Sequence, residues 1–272
     1  KHPRAQQLGP CRDLEQAGPQ HPSIHPACPS SALLCPLPQI LNRYDIALIQ
    51  EVRDSHLTAV GKLLDRLNQD DPNTYHFVVS EPLGRNNYKE RYLFVFRPDQ
   101  VSLLDSYQYN DGCEPCGNDT FSREPAIVKF SSPFTQVKEF AIVPLHAAPS
   151  DALAEIDSLY DVYLDVQQKW DMEDIMLMGD FNAGCSYVTS SQWPSIRLRR
   201  NPAFWWLIPD IADTTVKSTH CAYDRSAGPG PVTTAPWVGS AGSGQGRERL
   251  HQQPSLLGAA SETVLKASDT HS

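Results

Sequence analysis

Asp180 and Asn182 stand two residues apart after the apolar stretch Met176-Leu177-Met178 and a glycine, Gly179. An apolar run that ends in glycine and is followed by an acid and an amide describes a buried strand that turns and points polar side chains into a cleft. A carboxylate and a carboxamide offer hard oxygens to a divalent cation, or to a water molecule attacking phosphorus. By itself the run reads more readily as a structural Gly-Asp turn. Two further segments share the pattern. The apolar run from Tyr44 ends in the carboxylate Glu51, with Arg53 and Asp54 just beyond, and the run from Phe140 ends in His146. Three strand ends delivering Glu, His and Asp-x-Asn suit one site at the rim of a sheet. Phosphodiester hydrolysis needs such a set: an in-line water, a base to activate it, and charge neutralisation at phosphorus.

The elements that must position these residues are legible in the patterning. Tyr44–Gln50 is a nearly continuous apolar run, hence a buried strand. Leu57, Val60, Leu64 and Leu67 recur at helical spacing within 56–69. Residues 75–81 and 91–97 are predicted strands, joined by a polar, basic and aromatic loop that holds Arg85, Tyr88 and Glu90. Strands follow at 126–130 and 139–145, an amphipathic helix at 150–170, and a strand at 174–178. Residues 1–38 contain eight prolines and no apolar period, which predicts disorder. After Arg225 the chain turns rich in glycine and proline, and no strand or helix is expected there. The expected organisation is therefore a Pro-rich segment at 1–39, a catalytic core at 40–225 and a disordered tail at 226–272.

Composition sets bounds. The chain has 272 residues, 40% hydrophobic, which permits a sizeable core. Its formal charge of −9 has the wrong sign for binding nucleic acid through a general basic face. A nuclease of this charge must rely on local arginines and on cations held by carboxylates. No run of 18 apolar residues exists, so no membrane span is expected. Cys113 and Cys116 form a Cys-x-x-Cys, compatible with metal, redox or loop-closing roles, though the surrounding glycine and proline favour a tight loop. Asn118-Asp-Thr120 is a glycosylation sequon beside it. Cys11, Cys28 and Cys35 make an odd additional set.

Taken in order and spacing, Glu51, Glu90, His146, Asp180-Phe-Asn182 and Cys221-Ala-Tyr-Asp224-Arg225 resemble the endonuclease/exonuclease/phosphatase superfamily. Within it the strings SEPLGRNNYKERYLF, DGCEPCGNDTF, GDFNAGCSYV and THCAYDR resemble the deoxyribonucleases, from about Ile40 to Arg225. The resemblance implies an α+β fold, a four-layer α/β/β/α sandwich of two mainly antiparallel sheets. It implies a divalent-metal-dependent endonuclease that hydrolyses DNA with little sequence preference. Glu90, His146, Asp180, Asn182 and Asp224 would be catalytic, with Glu90 orienting His146. Glu51 would hold Mg2+ or Mn2+, while Asp111, Asp119 and Glu124, and separately Asp213 and Thr215, would hold structural Ca2+. Arg53, Arg85, Tyr88 and Arg123 would contact double-stranded DNA. Disulfides Cys113–Cys116 and Cys185–Cys221 are implied and, with the sequon at Asn118, favour a secreted monomer. Phe77, Val79 and Ala126 match positions that contact monomeric actin in the family.

The family's first strand, which ends in a catalytic asparagine, and its last, preceded by Ser-Asp-His, find no match. The family fold is thus expected to be incomplete, lacking those two strands. Ser268-Asp-Thr-His271 and His251 read as coincidences. Loss of a second catalytic histidine would impair activity, so a non-catalytic DNA- or actin-binding protein on the same scaffold is the alternative expectation. A phosphatase of phosphoinositides or sphingomyelin fits the Arg85–Tyr88 loop, Arg53 and the cysteine pairs less well.

Overall fold

In this computed structural model, residues 37–70, 74–113, 116–215 and 218–230 are described, together with the backbone of 264–266. In chain order the strands are β1 Ile46–Val52, β2 His76–Val79, β3 Arg91–Phe96, β4 Ser102–Gln108, β5 Ala126–Ser131, β6 Glu139–Pro144, β7 Ile175–Asp180, β8 Phe204–Trp206, β9 Asp224–Pro229 and β10 Val264–Lys266. The helices are α1 Leu37–Leu41, α2 Thr58–Leu67, α3 Ala152–Trp170 and α4 Arg197–Arg200. One sheet has the order β10-β1-β3-β2 and the other β4-β5-β6-β7-β9-β8. Pairing is antiparallel except for β6 with β7 and β1 with β10.

Side-chain alternation along the strands decides the layers. In β1 and β3, Leu48, Phe94 and Phe96 face the second sheet, where they meet Phe130, Phe140, Ile142, Met176 and Met178. Their neighbours Ala47, Ile49, Leu93 and Val95 face outward and pack on Val60, Leu63, Leu64 and Leu67 of α2. On the far side of the second sheet, Val143, Ile175 and Leu177 pack on Ile156, Leu159, Val162 and Val166 of α3. The result is four layers, α2, sheet, sheet and α3. Phe130 lies at the centre, with ring centroids 6.2, 5.4 and 6.0 Å from Phe94, Phe96 and Phe140. Burying one such ring contributes about 1.5–3 kcal/mol.

Local chemistry fixes the helix ends. Asp54 Oδ2 accepts the N–H groups of Ala59 and Val60 at 2.6 and 3.1 Å, satisfying donors that the first turn of α2 cannot pair internally. Asp171 closes α3 in the left-handed region at φ 48. Because β6 and β7 are parallel, α3 is the crossover between them, and both strands end at the same rim.

Three expectations need correction. β4 was not anticipated: Ser102-Leu-Leu-Asp-Ser-Tyr-Gln108 is an edge strand, exposed along most of its length, and lacks the apolar alternation of a buried one. The boundary at Arg225 falls inside β9, which continues through Ser226, Ala227 and Gly228 to Pro229. These small residues carry little hydrophobic signal, yet Ser226 and Ala227 are fully buried against β7 and β8. Val264–Lys266 also pairs with β1, in a region expected to hold no strand. The expectations for 1–36, for 231–263 and for 267–272 lie outside the described residues, and so do Cys11, Cys28, Cys35, His251 and His271.

Candidate active site

The three strand ends converge. Ligand atoms of Glu51, His146 and Asp180 lie within 4.8 Å of one another. Glu51 lies next to the end of β1, at a register shift between Ile49 and Val52, with a left-handed backbone, φ 60. His146 follows the end of β6, and Asp180 ends β7. Asn182 sits one turn further on, also left-handed at φ 49. Its Nδ2 donates to Ala147 O at 2.8 Å and its N–H to Asp180 Oδ1 at 2.9 Å, which locks the Asp-x-Asn turn against the histidine strand. Asp224 is the cross-strand partner of Asp180 in the β7–β9 ladder, and both are buried.

His146 is held from three sides. Its Nδ1 lies 2.7 Å from Glu90 Oε2, its N–H donates to Tyr92 Oη at 2.9 Å, and its Nε2 is 3.9 Å from Glu51 Oε1. Arg123 braces Glu90, with Nη2 donating to Oε1 at 2.9 Å and Nε 2.8 Å from Oε2. Burial pushes the Glu90 carboxyl up, but His146 and Arg123 outweigh it and hold the group below the usual carboxylate range. With Nδ1 held by Glu90, Nε2 is the ring nitrogen on the Glu51 side.

The remaining expected residues are placed as follows. Arg53, two residues after Glu51, stacks its guanidinium 3.9 Å above the Tyr88 ring, so a basic and an aromatic side chain stand together. Arg85 instead lies between Asp119 at 2.6 Å and Asp151 at 2.9 Å, with Thr120 O as a third acceptor. Asp111 Oδ2 accepts the N–H groups of Thr120 and Phe121. Among the described residues, one group of three His, Cys, Asp or Glu side chains is close enough to share an ion, and it is Glu51, His146 and Asp180. Asp213 accepts from Thr215 N–H and Oγ1 and pairs with His220 Nδ1 at 2.7 Å. Phe77 is exposed on edge strand β2, while Val79 and Ala126 line a cleft of about 180 Å³ between the sheet edges. Asn118 is exposed, and its Oδ1 accepts the Cys113 N–H at 2.9 Å.

Both expected disulfides are present, Cys113–Cys116 and Cys185–Cys221, with Cα separations of 5.2 and 5.8 Å. No helix among the described residues is long and apolar enough to cross a membrane. Sequence reasoning missed Gln50, Tyr92 and Glu155. Each lies inside a strand or helix that its neighbours already explained. A buried polar residue in an apolar run was the available signal for Gln50.

A sandwich whose rim gathers two acids and an oriented histidine defines a class of hydrolytic, metal-using proteins. The endonuclease/exonuclease/phosphatase family model matches residues 26–247, and the chain belongs to that family. Deoxyribonucleases are among its relatives within the family. Deoxyribonuclease-1 of Sus scrofa is 83% identical over 194 residues, covering 71% of this chain and 68% of that protein. The Mus musculus protein is 81% identical over 187 residues, covering 69% and 66%, and the Homo sapiens protein 77% over 196 residues, covering 72% and 70%. The chain thus spans about two thirds of the length of these relatives.

Proposed function

We propose that this chain is a divalent-metal-dependent endonuclease that hydrolyses phosphodiester bonds of DNA with little sequence preference. The observation that carries this reading is the meeting of Glu51, His146 and Asp180 within 4.8 Å, with His146 oriented by Glu90. The donor set fits a hard cation: the carboxylate oxygens of Glu51 and Asp180 suit Mg2+ or Mn2+. Glu51 and Asp180 would hold the ion. When bound, it supplies Lewis-acid polarisation of a phosphoryl oxygen.

The chain's own groups carry the proton work. Glu90 keeps the proton on Nδ1, so His146 Nε2 can take one from the attacking water or return one to the leaving oxygen. Asp180 and Asn182 orient water and scissile phosphate, and Asp224 supports them from the neighbouring strand. The Arg53–Tyr88 stack suits a minor groove, where an arginine senses groove width and an aromatic ring packs on sugar. Arg85 and Arg123 reach phosphate only by loosening their ion pairs. Structural Ca2+ at Asp111, Asp119 and Glu124, and at Asp213 and Thr215, would draw on backbone carbonyls as well as these side chains. The disulfides and sequon suit a secreted protein. Phe77, Val79 and Ala126 would serve an actin contact.

The test is plasmid nicking with Mg2+ and Ca2+, beside His146→Ala and a thermal melt. Nicking that His146→Ala lowers by about 10²–10⁴-fold is expected. A cooperative melt without nicking would overturn the catalytic reading and leave a DNA- or actin-binding protein, which an actin pull-down distinguishes.

A further inference from the structure

Gln50 is the last residue of the apolar run in β1 before Glu51, and it is fully buried. Both ends of its amide are used. Nε2 donates to Leu145 O at 2.9 Å, and Oε1 accepts the Asp180 N–H at 2.8 Å. Those two groups would form a rung with each other in a regular parallel ladder. The rungs on either side are present: Leu145 N–H donates to Met178 O at 3.0 Å, and Ala147 N–H to Asp180 O at 2.9 Å. Between them the Gln50 amide stands in for the missing rung, bonded to both strands like an inserted peptide group. Gly179 makes room for it. At φ +143, a Cβ there would lie 2.2 Å from Leu145 O and 2.5 Å from Gln50 Nε2.

We propose that Gln50 is the positioning residue of the site, an amide wedge from one sheet that holds β6 and β7 apart at the rung beneath His146 and Asp180. Its three attachments are the residue before Glu51, the residue before His146, and Asp180 itself. One side chain therefore fixes all three members of the cluster relative to one another. This rests on the metal-site reading above. Without the wedge, Asp180 N–H and Leu145 O pair directly. The fold keeps its hydrogen bonds, but His146 and Asp180 draw together and away from Glu51.

The experiment measures Mn2+ binding by the intact chain, through the electron paramagnetic resonance of free Mn2+, and thermal melting of the same samples. Gln50→Leu is expected to melt cooperatively near the wild-type temperature and to bind Mn2+ about 10–100-fold more weakly. In nicking assays kcat falls while KM for DNA holds. Gln50→Glu keeps the acceptor for Asp180 N–H and loses the donor to Leu145 O, so it should fall between the two. It serves as the decisive variant if Gln50→Leu does not fold. Wild-type Mn2+ affinity in either folded variant overturns the wedge. A wild-type chain that takes up no Mn2+ overturns the metal site itself, which is a separate result.

Discussion

Glu155 shows how a residue with no place in the chemistry can still govern the site. It is fully buried on α3, and its Oε1 accepts the N–H groups of Ser122 at 3.1 Å and Ala148 at 3.3 Å. Those residues adjoin Arg123 and follow His146 closely, so one carboxyl ties down both loops. Burial pushes the Glu155 carboxyl up to about 7, against the two N–H groups and Arg85. An unfolded glutamate titrates near 4.3. Between those values the folded chain keeps a proton that the unfolded chain has released, so raising pH through that window removes stability. At about 1.4 kcal/mol per pH unit the loss amounts to roughly 4 kcal/mol, complete about one pH unit above the folded value. Urea melts of Glu155→Gln should therefore lack the decline that the wild type shows from pH 5 to 7, and parallel curves would refute the assignment. Residues of this kind were the least legible in the sequence. Glu51, His146 and Asp180 announce themselves because each ends an apolar run. Gln50 and Glu155 are hidden because a strand or helix pattern tolerates one polar residue, and only the fold shows where its side chain goes.

Elements whose burial is one-sided or continuous were legible: β1, β3, β6, β7, α2 and α3 all follow from apolar periodicity. β4 and β9 were not, because one is a solvated edge and the other is built of small residues whose pairing partner lies elsewhere in the chain. The loops between elements depend on other restraints. Cys185 lies three residues after Asn182 and Cys221 three before Asp224, so their disulfide ties the turn beyond β7 to the entry of β9. It spans a sequence separation of 36, against 3 for Cys113–Cys116. Loop-closure entropy then assigns about 4 kcal/mol to the first and about 2 kcal/mol to the second. Replacing each pair by serines and comparing urea midpoints should reproduce that order. A larger loss from the Cys113–Cys116 pair would mean that native-state contacts, not chain entropy, set the difference.

The described residues form two sheets pressed face to face, with the Glu51, His146 and Asp180 cluster at one rim and the phenylalanine core beneath. A net charge of −9 has the wrong sign for a general basic face, so any polyanion would have to be met by local positive charge. The rim departs from the regularity of the core. Glu51 adopts φ 60, a backbone that only glycine takes up without a penalty of about 1–2 kcal/mol. The rest of the fold carries that strain. Glu51→Gly should therefore raise the melting temperature of the metal-free protein by about 2–4 °C per kcal/mol relieved, while nicking is lost. A lower melting temperature would show that Glu51 contributes more contact than strain. Laboratory selection for heat resistance alone would then favour glycine at position 51, and the survivors of such a screen would be hardier proteins that had given up their trade.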